Sequence, residues 1–383
     1  MPDDQLPASA PGTYVPYGQQ PYYLPDELPP EAEIELEPEF QQTRQDTIYQ
    51  LGQLNGISTE TTVSPIVYTF LIRREAVESV LVEGADIEFE DMFRPEDIGR
   101  TSTVTRDIKE AINYERAIRE GADRVAETGE ITLELLKELH KHLLNGVRDE
   151  AEKLGEFRTR PVHIPPPEPH KSRFIPPGPN KVRPLMQNLE RYIDRGGPYH
   201  DIVDLGIVHY QFETIHPFGD GNGRLGRVLI TLQLIKQGYL SKPFLYPSAY
   251  FNEHKIEYVT KMRAVSEEGA WEPWLRFFLE GIRQQAADAV TRTERLRDVR
   301  REYEQRYGDE KTATDRLAMR LFQQPYVTTG DVEELLDVSR QTARNALLEL
   351  EESGVLEETT GKQRYQEFRA VDIFEILTDS FEH

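Results

Sequence analysis

Apolar residues first fall into helical register after about residue 40. Ile48, Leu51 and Leu54, then Phe70, Val77, Val80 and Leu81, recur at three- and four-residue spacing and predict two or three helices between Gln41 and Val82. The pattern continues over 103–121 and 131–146, where LELLKELHKHLL is amphipathic. It breaks over 155–184. That stretch is dense in proline and carries short extended pieces (RPVHI, RFIPP), which predict a hairpin or flap. Helices are predicted again over 186–194, 201–214, 223–237, 252–267 and 271–290, followed by a charged connecting helix near 291–310. No fixed-period repeat is present. The expected fold is mainly α-helical, with a β-hairpin flap and a separate small C-terminal unit.

The two ends of the chain behave differently. Residues 1–40 are proline-rich and close on an acidic stretch, a composition that buries too little apolar surface to order itself and predicts a loose or wrapping arm. Residues 41–102 then form an N-terminal helical region and 103–290 the main helical body, with 291–310 leading to a unit at 311–383. That unit reads as a helix near 312–323, a short helix capped by Thr328 or Thr329, a second helix capped by Ser339, and two strands around a tight turn. The order resembles a winged helix-turn-helix. On that resemblance the second helix presents Arg340, Gln341, Arg344 and Asn345, and the hairpin tip presents Lys362 and Arg364, to DNA. Winged helices also serve as protein-docking modules. Glu349, Glu351, Glu352, Glu357 and Glu358 weaken the case for phosphate contact.

Composition narrows the chemistry. The 383 residues contain no cysteine, which excludes disulfides, a thiolate nucleophile and Cys-ligated metal. No apolar run approaches the roughly 18 residues of a membrane span, and the start of the chain lacks the basic and apolar segments of a signal peptide; a cytoplasmic location is expected. The net charge is −23, and lysine supplies only 12 of the 45 basic residues. Such a surface stays hydrated in a salt-rich cytoplasm and argues against nonspecific nucleic-acid binding over the whole molecule.

The densest chemistry lies in His216-Pro217-Phe218-Gly219-Asp220-Gly221-Asn222-Gly223-Arg224-Leu225-Gly226-Arg227. Its glycines and asparagine allow the backbone to turn N–H groups to one side, forming an anion nest. The apolar helix that follows, ended by Gly238, sets this nest at a helix N-terminus, where free N–H groups favour phosphate. Arg224 and Arg227, three apart, can clamp further phosphate oxygens. Asp220 supplies one hard oxygen for Mg²⁺, and His216 a base that works near neutral pH. The set points to transfer of a phosphate-containing group. It is not the GxxxxGK[ST] phosphate loop.

HPFGDGNGRLGR resembles the signature H-x-F-x-[DE]-G-N-G-R-x-x-R of Fic (Fic/DOC) proteins at every specified position. The resemblance extends over roughly 15–290, through LGQLNG, GEFR, RFIPP, HYQFETIHPF and GAWEPWLRFFLEGI. It implies transfer of AMP from ATP to a Ser, Thr or Tyr hydroxyl of a target protein. His216 would be the base and Asp220 the Mg²⁺ ligand. Gly221, Asn222 and Gly223 would form the nest, continued by Leu225 and Gly226, with Arg224 on the β-phosphate and Arg227 on the γ-phosphate. Phe174, Ile175, Pro176 and Pro177 would pin the target as an added strand, and a second copy of the chain is a ready target. Tyr258, and Asn252 with less support, would line the nucleoside pocket; Trp271 and Trp274 read as core.

The resemblance also covers regulation. Ser79-Val80-Leu81-Val82-Glu83-Gly84 resembles the inhibitory pattern [ST]-x-x-x-E-[GN], in which Ser79 and Glu83 share a helix face and Glu83 pairs with Arg227. Removal of AMP from a modified target, transfer of another phosphate group, and a DNA-binding regulator with a nucleotide-sensing Fic part are the rival readings.

Overall fold

The computed structural model describes residues 6–16, 21–31, 33–58, 64–93, 102–147, 153–164, 174–362 and 366–379. The proline-rich start wraps. Strands β1 (Gly12–Val15) and β2 (Tyr22–Pro25) pair antiparallel, and Tyr23 is fully buried. Asn188 holds the arm farther along, accepting from Leu28 N at 2.8 Å and donating to Leu28 O at 3.0 Å.

Helices α1 (Phe40–Ser58) and α2 (Ser64–Val82) follow, and after a 3₁₀ turn at Phe89–Met92 come α3 (Ser102–Thr128) and α4 (Leu133–Leu144). Thr132 caps α4 by accepting from Leu135 N. Helix α5 (Pro179–Arg195) starts seven residues before the predicted 186, because Pro179 takes the first helical position, where its missing N–H costs nothing.

Helices α6 (Asp201–Ile215) and α7 (Asn222–Lys236) pack together as the central pair. Both are buried nearly all round, apolar over most of their surface and with a few buried polar side chains such as His209, Glu213, Arg224 and Arg227. Every residue from Ile202 to Ile215 is buried. The predicted helix over 252–267 is two helices, α8 (Pro247–Glu253) and α9 (Lys255–Glu268), broken at His254.

Helix α10 (Trp271–Tyr307) corrects the division at 290: the body's last helix and the connecting helix are one. After Gly281 no glycine or proline interrupts it until Gly308. Trp271 and Trp274 are buried on it as core, as expected.

The C-terminal unit comprises α11 (Ala313–Arg320), β3 (Tyr326–Thr328), α12 (Thr329–Leu336), α13 (Arg340–Glu352), β4 (Leu356–Glu358), β5 (Glu367–Ala370) and α14 (Val371–Thr378). The three strands form an antiparallel sheet in the order β3-β5-β4. Thr328 and Ser339 are the caps. Two elements were not predicted. Strand β3 is only three residues long, and α14 lies beyond the two strands, where the sequence reading places no element. A short apolar run such as VDIFEIL carries no decisive period.

Candidate functional site

Helix α6 terminates at His216, whose φ of 51° places it in the left-handed region. Arg158 stabilises this end: its guanidinium donates to His216 O (2.7 Å) and Ile215 O (3.2 Å), carbonyls that the helix leaves open, and ties them to Pro177 O (2.6 Å) ahead of α5. The imidazole Nδ1 lies 3.3 Å from Glu213 O, which can only accept. Nδ1 therefore carries the proton, and the Nε2 lone pair is left for chemistry. Burial pushes the His216 pKa down to about 4 with help from Arg158, against Glu213 O, Glu83 and Asp220, so the ring is neutral at neutral pH.

The loop from Pro217 to Gly221 is pinned from two sides. Asn222 accepts from Phe218 N at 2.8 Å and donates back to Phe218 O at 3.0 Å. His140 donates from Nε2 to Asp220 O (2.9 Å), accepts at Nδ1 from Gly155 N (2.9 Å) and stacks on Phe218 at 3.9 Å. Burial holds the His140 pKa down to about 4, which keeps it neutral in this double role. Gly221, at φ 75°, starts α7.

Each motif arginine meets a carboxylate. Arg227, 1% exposed, donates from Nε to Ser79 Oγ (2.8 Å) and from Nη2 to Ser79 O (2.9 Å) and Glu83 Oε1 (2.7 Å). Burial opposes the charge on Glu83, but Arg227 outweighs it and holds the carboxylate below its ordinary pKa. Glu83 lies over the start of α7, so close that a Cβ on Gly223 would meet its Oε1 at 2.3 Å. Arg224, equally buried, donates from Nη1 to Glu110 Oε2 at 2.6 Å and lies 3.6 Å from Asp220. Its Nε is buried without a hydrogen-bond partner among the described residues, a donor left over for an anion.

A cavity of about 330 Å³ opens beside these groups, lined by Glu83, His216, Gly223, Arg227, Phe174 and Tyr258 among others. Tyr258 hydroxyl bonds His209 Nε2 at 2.7 Å, so it is both cavity wall and core. Glu213 also lines the cavity. It is buried, and burial pushes its pKa up to about 8 against the nearby Arg227 charge, with a smaller push from Glu83.

Some expected residues fall elsewhere. Leu225 is buried in the core, and Gly226 packs on Glu213, its carbonyl 3.3 Å from His209 Nδ1. Asn252 bonds Glu78 and is absent from the cavity wall. Of the flap residues, Phe174 bridges Ile164 and faces the cavity. Ile175 O accepts from Tyr23 N, and Pro176 and Pro177 are buried at the flap root. In the C-terminal unit, Arg340, Gln341, Arg344 and Asn345 share an exposed face of α13, and Lys362 is exposed after β4. Arg364 lies outside the described residues.

Glu110, Arg158, His140 and Glu213 are the contributors that sequence reasoning missed. Glu213 and Arg158 lay inside quoted stretches, HYQFETIHPF and GEFR, but nothing local marked their roles. Asp220 is partly exposed at the start of α7, its Oδ1 accepting from Gly221 N at 2.6 Å and lying 3.6 Å from Arg224; one such carboxylate is compatible with Mg²⁺, which commonly binds through a single carboxylate with phosphate oxygens and water.

Residues 130–234 match the Fic/DOC family model and residues 44–123 its N-terminal model, while 314–367 match a DeoR-like helix-turn-helix domain. Proteins named "Protein adenylyltransferase Fic" from Drosophila ananassae and Drosophila yakuba are 32% and 33% identical over 153 residues, 39% of this chain and 28% of theirs. The chain thus spans little over a quarter of those relatives. A Fic family protein from Desulfovibrio desulfuricans superposes with a TM-score of 0.58 at 22% identity, covering 88% of this chain and 97% of that one. Fic-1 from C. elegans does so at 0.52 and 18%, covering 68% and 75%. Both likenesses concern the fold. No helix among the described residues is long and apolar enough to cross a membrane.

Proposed function

The chain belongs to the Fic/DOC family, and on that premise we propose that it transfers AMP from ATP to a protein hydroxyl, with Glu83 holding the reaction in check. The observation that carries this reading is the Arg227 guanidinium, bound on one side by Ser79 and on the other by Glu83 at the mouth of the cavity that His216 lines. The adenylyltransferase name of the Drosophila relatives supports the donor chemistry.

In the active arrangement Glu83 leaves Arg227, which then takes the γ-phosphate, and Arg224 takes the β-phosphate. The N–H groups at Gly221–Gly223 receive phosphate oxygens at the start of α7. Asp220 would hold Mg²⁺, which supplies neutralisation of phosphate charge. His216 Nε2 accepts the proton of a Ser, Thr or Tyr hydroxyl as its oxygen bonds to the α-phosphorus; the bond to the β-phosphate oxygen breaks and pyrophosphate departs. Positioning and charge neutralisation supply the rate. Phe174 closes the cavity on the target side, and a second copy of the chain is a natural target.

The decisive experiment is transfer of label from ATP marked at the α-phosphate, with Mg²⁺, to the protein itself. Glu83→Gly should exceed wild type by about tenfold or more, the equivalent of roughly 1.4 kcal/mol, and Glu83→Gly/His216→Ala should be blank. Label that persists in the double variant overturns the role of His216. A blank Glu83→Gly overturns ATP as the donor.

A second reading has its own observation. Glu83 stays ionised in the same cavity as His216, where a carboxylate can orient a water for removal of AMP from a modified target. Loss of label from a premodified protein with wild type, and not with Glu83→Gly, would identify it. The exposed α13 face adds DNA as a proposed partner, in line with the DeoR-like match.

A further inference from the structure

The Glu83 carboxylate is held at a single described point. Its side chain is 43% exposed, and its described hydrogen bond is the one from Arg227. Where that carboxylate lies therefore depends on the backbone that carries it. This backbone leaves α2 through a turn in which Glu83 N, Gly84 N and Ala85 N bond to Val80 O, Leu81 O and Val80 O, and it then runs to the 3₁₀ turn at Phe89–Met92.

The C-terminal unit grips this stretch on both sides of Glu83. Nine residues before it, Arg74 donates from Nη1 to Leu377 O of α14 at 2.5 Å. Six to ten residues after it, the rings of Phe89 and Phe93 lie 6.4 and 5.7 Å from that of Phe374, also on α14. Between those two rings Glu90 pairs with Arg369 of β5, which Glu357 of β4 holds from the other side. Phe93 returns the contact to α2 by packing on Phe70 at 5.4 Å and beneath Arg73 at 4.6 Å. The unit has a separate attachment to the body through α10, where Arg292 reaches the carbonyls of Ile376 and Asp379. That attachment alone would keep the two parts together. The additional contacts fall on the segment that bears the carboxylate.

We propose that Arg369 and Phe374 are positioning residues for Glu83: the C-terminal unit clamps the stretch from Arg74 to Phe93 and so keeps Glu83 on Arg227. The proposal rests on the reading of Glu83 as the inhibitory group. The winged unit then acts as a brace, and whatever shifts it eases the inhibition.

The test uses the full chain with two variants from opposite sides of the contact, Arg369→Ala and Glu90→Ala, neither of which opens a large cavity. Backbone hydrogen exchange is followed at residues 79–85, with the α6 and α7 amides as the folding control. Both variants should exchange severalfold faster at 79–85 while α6 and α7 keep the wild-type rate. AMP labelling should rise toward that of Glu83→Gly, and adding Arg369→Ala to Glu83→Gly should bring no further increase. Wild-type exchange at 79–85 in both variants overturns the brace. So does faster exchange with wild-type labelling when Glu83→Gly itself labels strongly. If Glu83→Gly fails to label, the assigned reaction has failed and the exchange comparison alone decides the brace.

Discussion

Arg227 shows how a few ångströms decide what a residue does. Its Nε and Nη2 are engaged by Ser79 and Glu83, and on the proposed reading the donor released from Glu83 would face a phosphate. The neighbouring imidazole carries a measurable signature. With His216 held down to about 4, transfer by Glu83→Gly should stay on a plateau through the ordinary histidine range near pH 6.5 and fall only toward about pH 4. A pH–rate profile checks this, and an acid limb near 6.5 would refute it. Removing Glu83 pulls the limb no higher, because its charge raises the His216 pKa.

Glu213 gives the opposite sign. Its folded-state pKa of about 8 lies above the unfolded value near 4.5, so the stability it contributes is full below 4.5 and is lost as pH rises through 8. Glu213→Gln should therefore show a flatter thermal midpoint between about pH 5 and 8 than the parent. The motif residues were legible because they are contiguous, and Ser79 and Glu83 because they are one helical turn apart. Glu110 was not. It reaches Arg224 across 114 positions of sequence, and only the packing of α3 on α7 brings the two together.

Among the elements, α6 and α7 are legible from their long apolar runs, whereas the charged run after 290 hides the continuity of α10. The charged half of that helix does not end it: Arg292 is 1% exposed, bonds Asp288 at 2.9 Å and caps α14 with its remaining donors. Arg292→Met should lower the unfolding free energy by about 3 kcal/mol, since it strands a buried carboxylate and frees the α14 carbonyls. Denaturant titration measures it. An effect under about 1 kcal/mol would mean that Tyr246, which donates to Asp288 at 2.5 Å, satisfies that carboxylate alone.

For the molecule as a whole, the charge of −23 sets the response to salt. Between about 0.1 and 1 M the screening length falls from roughly 10 to 3 Å, which relieves repulsion among carboxylates while leaving close pairs such as Arg227–Glu83 intact. The thermal midpoint should rise over that range, and a fall would show that attractive surface pairs dominate. The shared helix α10 has a different consequence. At 37 residues, roughly 55 Å long, it belongs to the core of the body at one end and of the winged unit at the other. Neither core can melt without freeing half of a helix on which the other is built. Heat should thus meet one cooperative system: a single calorimetric transition, with the winged unit and the cavity at His216 lost together at one temperature.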